Sequence, residues 1–311
     1  MPLNHAEVAE LADAADSKSA GVDSPVRVRL PPSAPASKQL TSNCSKHRGF
    51  PRCFLMGRTS VVSKKVDGMI EEFIWKNLKF LIGEHEQVLE HIVQRIDSGE
   101  KLFVVTANAS ILYLFLSDEK YRECLEHSNL LTVDGIGAVY LLKKLSGVKA
   151  PRYPGIELMM GLCKVAAAKK WRVFLLGGKP GISEKVAEAL KNEYPSIQIA
   201  GTMHGYFEEQ NNEKVVQQIQ SSAADLLFVA MGVPKQEYFI WNHFPRLNVK
   251  LAMGVGGAFD VISGNKRRAP RLIQQMGLEW LYRISLEPRK RAKTFLNVIR
   301  FAIKLWKGEI F

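Results

Sequence analysis

Asp225-Leu226-Leu227-Phe228-Val229-Ala230-Met231-Gly232-Val233-Pro234-Lys235-Gln236-Glu237 is an apolar run that breaks into glycine, proline and then charge. Leu251-Ala252-Met253-Gly254-Val255-Gly256-Gly257-Ala258-Phe259-Asp260 repeats the pattern. A continuous run of four to six apolar residues suits a strand covered on both faces, and a glycine-bearing loop after it marks the carboxyl edge of an open α/β sheet, where such sheets bind ligands. Working outward, strands are expected at Leu102–Thr106, Arg172–Leu176 and Ile197–Thr202, besides Leu226–Met231 and Leu251–Val255. Amphipathic helices are expected at Glu84–Ile96, Ile156–Lys169, Ile182–Tyr194 and Asn212–Ser221. The alternation predicts a Rossmann-like open, mainly parallel sheet with helices on both faces, without internal repeats.

The chain has 311 residues and 46% hydrophobic content, ample for a large core. No apolar stretch reaches the roughly 18 to 20 residues of a membrane-spanning helix, and the N-terminus lacks the apolar centre of a signal peptide. Cys44, Cys53, Cys124 and Cys163 show no metal-like spacing, which suits a reducing compartment and a cytoplasmic address. The net charge of +12 is uneven: residues 266–311 hold 12 Lys/Arg against 3 Asp/Glu. Three divisions follow: an N-terminal extension over 1–55, a Rossmann-like domain over 70–265, and a basic appendage over 266–311.

The first segment is broken by Pro25, Pro31, Pro32 and Pro35 and filled with small polar residues, a composition that predicts disorder. Its order from Val8 through Asp16-Ser17-Lys18-Ser19 to Pro35 resembles the conceptual translation of a bacterial tRNA gene. An over-extended reading frame, with Met56 or Met69 as the start, is therefore expected. At the other end Lys290, Lys293, Asn297, Arg300, Lys304 and Lys307 recur at helical spacing, with Phe295, Leu296, Ile299, Ile303, Trp306 and Ile310 elsewhere on the wheel. Such a helix either packs on its own domain or lies on an anionic membrane surface. Nucleic acid is disfavoured, because no recognised binding motif accompanies the charge.

Several polar residues sit at strand ends. Asp134 follows the apolar Asn129–Val133 and precedes Gly135 and Gly137, a place for a general base or for a plain turn former. Thr106 and Asn108 end a strand and either point into the crevice or cap the next helix. Gln236 and Glu237 stand at a helix start, where an amide can bond a sugar or base and an acid can instead answer the helix dipole. Glycines at 177–178 and 254–257 would let backbone approach a phosphate, although Gly254-Val255-Gly256-Gly257 lacks the spacing of a dinucleotide fingerprint.

The order Gly232-Val233-Pro234-Lys235-Gln236-Glu237, Gly254-Val255-Gly256-Gly257-Ala258-Phe259-Asp260, Arg268-Ala269-Pro270 and Glu279-Trp280-Leu281-Tyr282-Arg283 resembles the WecG/TagA/CpsF family of bacterial glycosyltransferases. Thr106-Ala107-Asn108, Val133-Asp134-Gly135, Arg152-Tyr153-Pro154-Gly155 and Leu176-Gly177-Gly178 extend the likeness over roughly 76–295. The resemblance implies an inverting transfer of N-acetylmannosamine, its uronic acid or a related hexose from a UDP-sugar to an undecaprenyl-diphosphate-linked saccharide. The setting is cell-surface polysaccharide synthesis at the inner face of the bacterial plasma membrane.

By the same resemblance Asp134 is the catalytic base, and Thr106, Asn108, Arg152, Gly178, Gln236, Glu237 and Gly256 serve the substrates. Arg268, Arg283, Arg289 and Arg291 lie in or beside the family's basic segments and would neutralise the leaving UDP. No Asp-x-Asp pair occurs, so neither a divalent metal nor another cofactor is expected. A dimer or trimer is compatible with the family. Two rivals stay open: a nucleotide-dependent oxidoreductase, which lacks its fingerprint after the first strand, and a non-catalytic membrane-associated nucleotide-binding or assembly protein of the same fold.

Overall fold

The computed structural model describes residues 61–66 and 70–310. The expected N-terminal extension, Cys44, Cys53 and both candidate start residues, Met56 and Met69, lie outside the described residues. Within them a nine-stranded sheet runs in the order β1-β2-β3-β5-β4-β9-β8-β6-β7. The strands are β1 (Val61–Val66), β2 (Ile70–Trp75), β3 (Leu78–Ile82), β4 (Leu102–Ala107), β5 (Leu130–Val133), β6 (Arg172–Gly177), β7 (Gln198–Met203), β8 (Leu226–Ala230) and β9 (Leu251–Gly254). From β3 to β7 every pairing is parallel, whereas β1, β2 and β3 form an antiparallel edge.

That edge is absent from the sequence-based expectation. It turns on Lys76 and Asn77, both at positive φ, between the paired Trp75 and Leu78. A two-residue loop with two left-handed residues matches the twist of a hairpin, and asparagine tolerates that region better than most residues. The five expected strands all form, because their residues are buried on both faces in β4, β8 and β9.

Helices cover each face. One face carries α1 (His85–Asp97), α5 (Gly155–Lys169), α6 (Ile182–Glu193) and the short α9 (Ala258–Ile262), built into a cluster with Leu102, Val104, Leu226 and Phe228. The other carries α2 (Ala109–Ser117), α3 (Glu119–Glu126), α4 (Ile136–Ser146), α7 (Asn212–Ser222) and α8 (Lys235–His243) around Phe103, Val105, Leu227 and Val229. Alternate residues of one strand thus feed opposite cores, as a period of two requires. Two short helices follow, α10 (Arg271–Gln275) and α11 (Glu279–Leu286), and then the long α12 (Pro288–Lys307).

Helix α12 packs on α2 and α4. Its inward face is not the one the apolar pattern suggests. Phe301 is buried with the core and Asn297, counted among the polar positions, is buried as well. Leu296, Ile299, Ile303 and Trp306 instead face outward, Trp306 at 83% exposure. The reason lies on α2, where buried Ser110 accepts a hydrogen bond from Asn297 Nδ2 at 3.2 Å and so removes the cost of burying the amide.

Candidate active site

The carboxyl ends of β4 and β5 and the helices α4, α11 and α12 enclose a cavity of about 380 Å³. Asp134 enters it directly from β5. Its backbone N–H donates to Ala107 O at 3.0 Å, and Gly135 N–H does the same at 3.2 Å, so β4 holds the turn. Glycine is needed at 137, since a Cβ there would lie 2.7 Å from that of Ala109 and 3.4 Å from the Phe301 ring. The Asp134–Gly137 turn can therefore press against both α2 and α12.

Arg152 reaches the same place because Tyr153 N–H donates to Val133 O at 2.6 Å, laying this segment alongside the end of β5. His85 Nε2 donates to Arg152 O at 2.7 Å, and Arg152 Nη2 donates to Gln274 O at 2.9 Å. Thr106 and Asn108 also line the cavity. Asn108 caps α2 as well: Oδ1 accepts from Ser110 N at 3.1 Å and from Ile111 N at 3.2 Å. Capping and lining are both true of it.

Arg283 completes the polar wall, with Glu279 one turn earlier on α11 accepting from its Nη2. Arg291 of α12 joins them. Burial pushes the Asp134 carboxyl up to about 6; Arg283, Arg152 and the Gly155 N–H pull it down, and Glu279 pushes it up. Burial and the neighbouring Arg283 lower the proton affinity of Arg291. Ile136, Tyr140, Val298, Phe301 and Leu305 add apolar surface to the same lining. A proton acceptor poised near neutrality, cations within the same space and an apolar flank can together bind an anion and activate a hydroxyl.

The other residues singled out from sequence lie outside this lining. Gln236 is 3% exposed, and its Oε1 accepts from Gly232 N at 3.2 Å and Gly256 N at 3.0 Å. Its Nε2 donates to Glu237 Oε1 at 2.7 Å, so the amide ties the loops after β8 and β9 together. Gly178 donates its N–H to Ala230 O at 3.0 Å, and its carbonyl accepts from Gly205 N at 2.9 Å. Arg268 pairs with Glu157 at 2.6 Å. Arg289 is exposed on α12. Among the described residues no group of three or more His, Cys, Asp or Glu side chains could hold a metal ion.

Sequence reasoning named Arg291 but passed over Glu279 and the apolar α12 wall of Val298, Phe301 and Leu305. The spacing of Glu279 and Arg283, acid first and base four residues on, was a readable signal for the pair. Nothing local placed either beside Asp134, more than a hundred residues earlier.

Comparison with known proteins bears on the chain as a whole. Residues 76–311 match the model of the glycosyl transferase WecG/TagA/CpsF family. A Bacillus subtilis (strain 168) protein named N-acetylglucosaminyldiphosphoundecaprenol N-acetyl-beta-D-mannosaminyltransferase is 36% identical over 214 residues, 69% of this chain and 82% of its own. Its namesake from Bacillus spizizenii (strain ATCC 23059 / NRRL B-14472 / W23) is 33% identical over 233 residues, 75% of this chain and 90% of its own. One from Staphylococcus aureus (strain MRSA252) is 36% identical over 212 residues, 68% and 82%. With a single family model spanning β3 to β9, the cavity and α12, the chain belongs to the WecG/TagA/CpsF family and is a glycosyltransferase.

Proposed function

We propose that this cavity transfers an N-acetylmannosamine-type sugar from a UDP-sugar to a saccharide on polyprenyl diphosphate, with inversion, in cell-surface polysaccharide synthesis. The observation that carries the reading is that Asp134 shares one cavity with Arg152, Arg283 and Arg291. The names of the relatives supply the acceptor class and the sugar.

In this reading Asp134 takes the proton of an acceptor hydroxyl as that oxygen bonds to the anomeric carbon. The bond from that carbon to the diphosphate breaks, and UDP departs with the electron pair. Arg283 and Arg291 stand where the extra charge on the diphosphate develops, so protein cations do the work of a metal. A carboxyl at about 6 is mostly ionised at neutral pH yet still a useful acceptor. Inversion needs one displacement and no covalent intermediate on the enzyme.

Among the described residues no helix is long and apolar enough to cross a membrane. The outward stripe Leu296, Ile299, Ile303 and Trp306, with exposed Lys293, Arg300 and Lys307 beside it, suits an anionic bilayer surface. Docking there would bring the cavity, walled by the same helix, to a lipid-linked acceptor.

The test is UDP release by the full chain with a panel of UDP-sugars and a short-chain polyprenyl-diphosphate-GlcNAc acceptor, in EDTA. Acceptor-dependent release from one donor, lost in Asp134→Asn, is expected. Turnover that survives this substitution removes Asp134 as the base, and turnover that requires a divalent cation removes the role given to the arginines.

A further inference from the structure

We propose that Glu279 is a positioning residue, its carboxylate holding the Arg283 guanidinium over Gly257 and towards Asp134, and so building both the anion site and the charge environment of the base. This rests on reading the cavity as a site for a diphosphate-linked sugar.

Glu279 is the first residue of α11, is 8% exposed and lines the cavity. A carboxylate in so enclosed a place is costly unless paired, and Arg283 Nη2 is its partner. That leaves the rest of the guanidinium fork for other work. Arg283 Nη1 lies 3.3 Å from where a Cβ on Gly257 would stand, and Arg291 Nη2 lies 3.8 Å from the same point. Two guanidinium groups therefore converge beside the loop after β9. Glu279 fixes one of them from behind, while Glu287 stands 3.6 Å from Arg291 Nε and 3.0 Å from Lys266 Nζ, steadying the other.

The second consequence concerns Asp134. The groups acting on it are Arg283 and Glu279 from α11, Arg152 and the Gly155 N–H from the segment entering α5, and burial. Arg291 from α12 and the uncharged Thr106 and Asn108 line the same space. Arg283 favours the ionised carboxyl and Glu279 opposes it, Arg283 being the stronger of the two. Removing only the acid leaves Arg283 uncompensated, and Asp134 then ionises at lower pH and becomes a weaker base. A purely structural Glu279 would leave that titration where it is.

The experiment compares the full chain with Glu279→Gln, Glu279→Ala, Arg283→Gln and the double variant Glu279→Gln/Arg283→Gln. One readout is the Asp134 carboxyl titration by carbon NMR without ligand, its signal assigned through Asp134→Asn. The other is UDP affinity by calorimetry.

The midpoint is expected to fall in Glu279→Gln, rise in Arg283→Gln and rise less in the double variant than in Arg283→Gln. UDP should bind about tenfold more weakly to Glu279→Ala. Glu279→Gln, whose amide oxygen still accepts from Arg283, should keep most of the affinity. An unmoved midpoint in Glu279→Gln, or full UDP affinity in Glu279→Ala, overturns the proposal. If the parent protein binds no UDP, the donor reading falls. The titration then decides alone, a shift supporting the control of Asp134 by Glu279 and its absence overturning it.

Discussion

Asn297 on the last helix donates to Ser110 Oγ at 3.2 Å, and both residues are buried although 187 positions separate them. This bond joins α12, which walls the cavity, to α2, whose cap Asn108 also lines it. Replacing Asn297 by Ala leaves the Ser110 hydroxyl buried without that donor. We expect a loss of about 1–2 kcal/mol in urea unfolding and a raised donor KM, since the wall that carries Arg291 loosens. A cycle with Ser110→Ala should show that the two effects are not additive.

The acid limb of the kcat/KM profile should fall near pH 6, where Asp134 takes up its proton. Above that pH the base is ionised and active; below it activity drops about tenfold per pH unit. Asp134→Asn should lose about 10²- to 10⁴-fold in kcat while still binding UDP. A pH profile flat from 5 to 8 would remove the assignment.

Glu237 predicts a pH-dependent stability. Burial pushes its carboxyl from 4.5 up to about 7, with Gln236 opposing that rise. The Tyr121 hydroxyl, buried beside it, opposes the rise as well. The native protein thus holds this proton to higher pH than the unfolded chain. The contribution to stability is intact at pH 4.5, falls as the pH rises, and is fully lost above about 7. Glu237→Gln cannot ionise, so it should stabilise at pH 8 by on the order of 3 kcal/mol and change little at pH 4.5. Thermal melts at the two pH values check this.

The outward stripe of α12 makes a separate prediction. Ile303→Asp combined with Trp306→Asp should sharply reduce sedimentation with vesicles rich in phosphatidylglycerol. Neither side chain lines the cavity, so turnover of a short-chain acceptor in solution should persist. Undiminished sedimentation would remove this face as the membrane contact.

Gly257→Val should displace Arg283, because a side chain at 257 meets Nη1 at 3.3 Å or closer. UDP affinity is expected to fall about tenfold with little change in melting temperature. Calorimetry and a melt on the same sample separate this from a folding defect.

The central strands were legible because β4, β8 and β9 are covered on both faces, and continuous apolar runs such as Leu226–Ala230 have no other stable place in a folded chain. Their glycine ends identified the carboxyl edge of the sheet, and Asp134 could be picked out from its position after β5. The β1–β3 edge was missed since its turn, Lys76-Asn77, carries a weaker signal than glycine. Which glycine-loop residues line the cavity was also beyond local reading. Gln236 has the chemistry of a ligand contact, yet its amide is spent on Gly232, Gly256 and Glu237. Glu279 reads as an ordinary first-turn acid until α11 folds over Asp134.

By itself the sequence determined the parallel α/β class, the family and the position of the candidate base, because burial periodicity and strand-end chemistry are local along the chain. Tertiary structure alone decided which arginines meet Asp134, which face of α12 is buried and which polar residues are left facing the cavity. Those depend on partners supplied from distant segments, Ser110 for Asn297 and Gly257 for Arg283, and a buried polar group settles only where such a partner is already waiting.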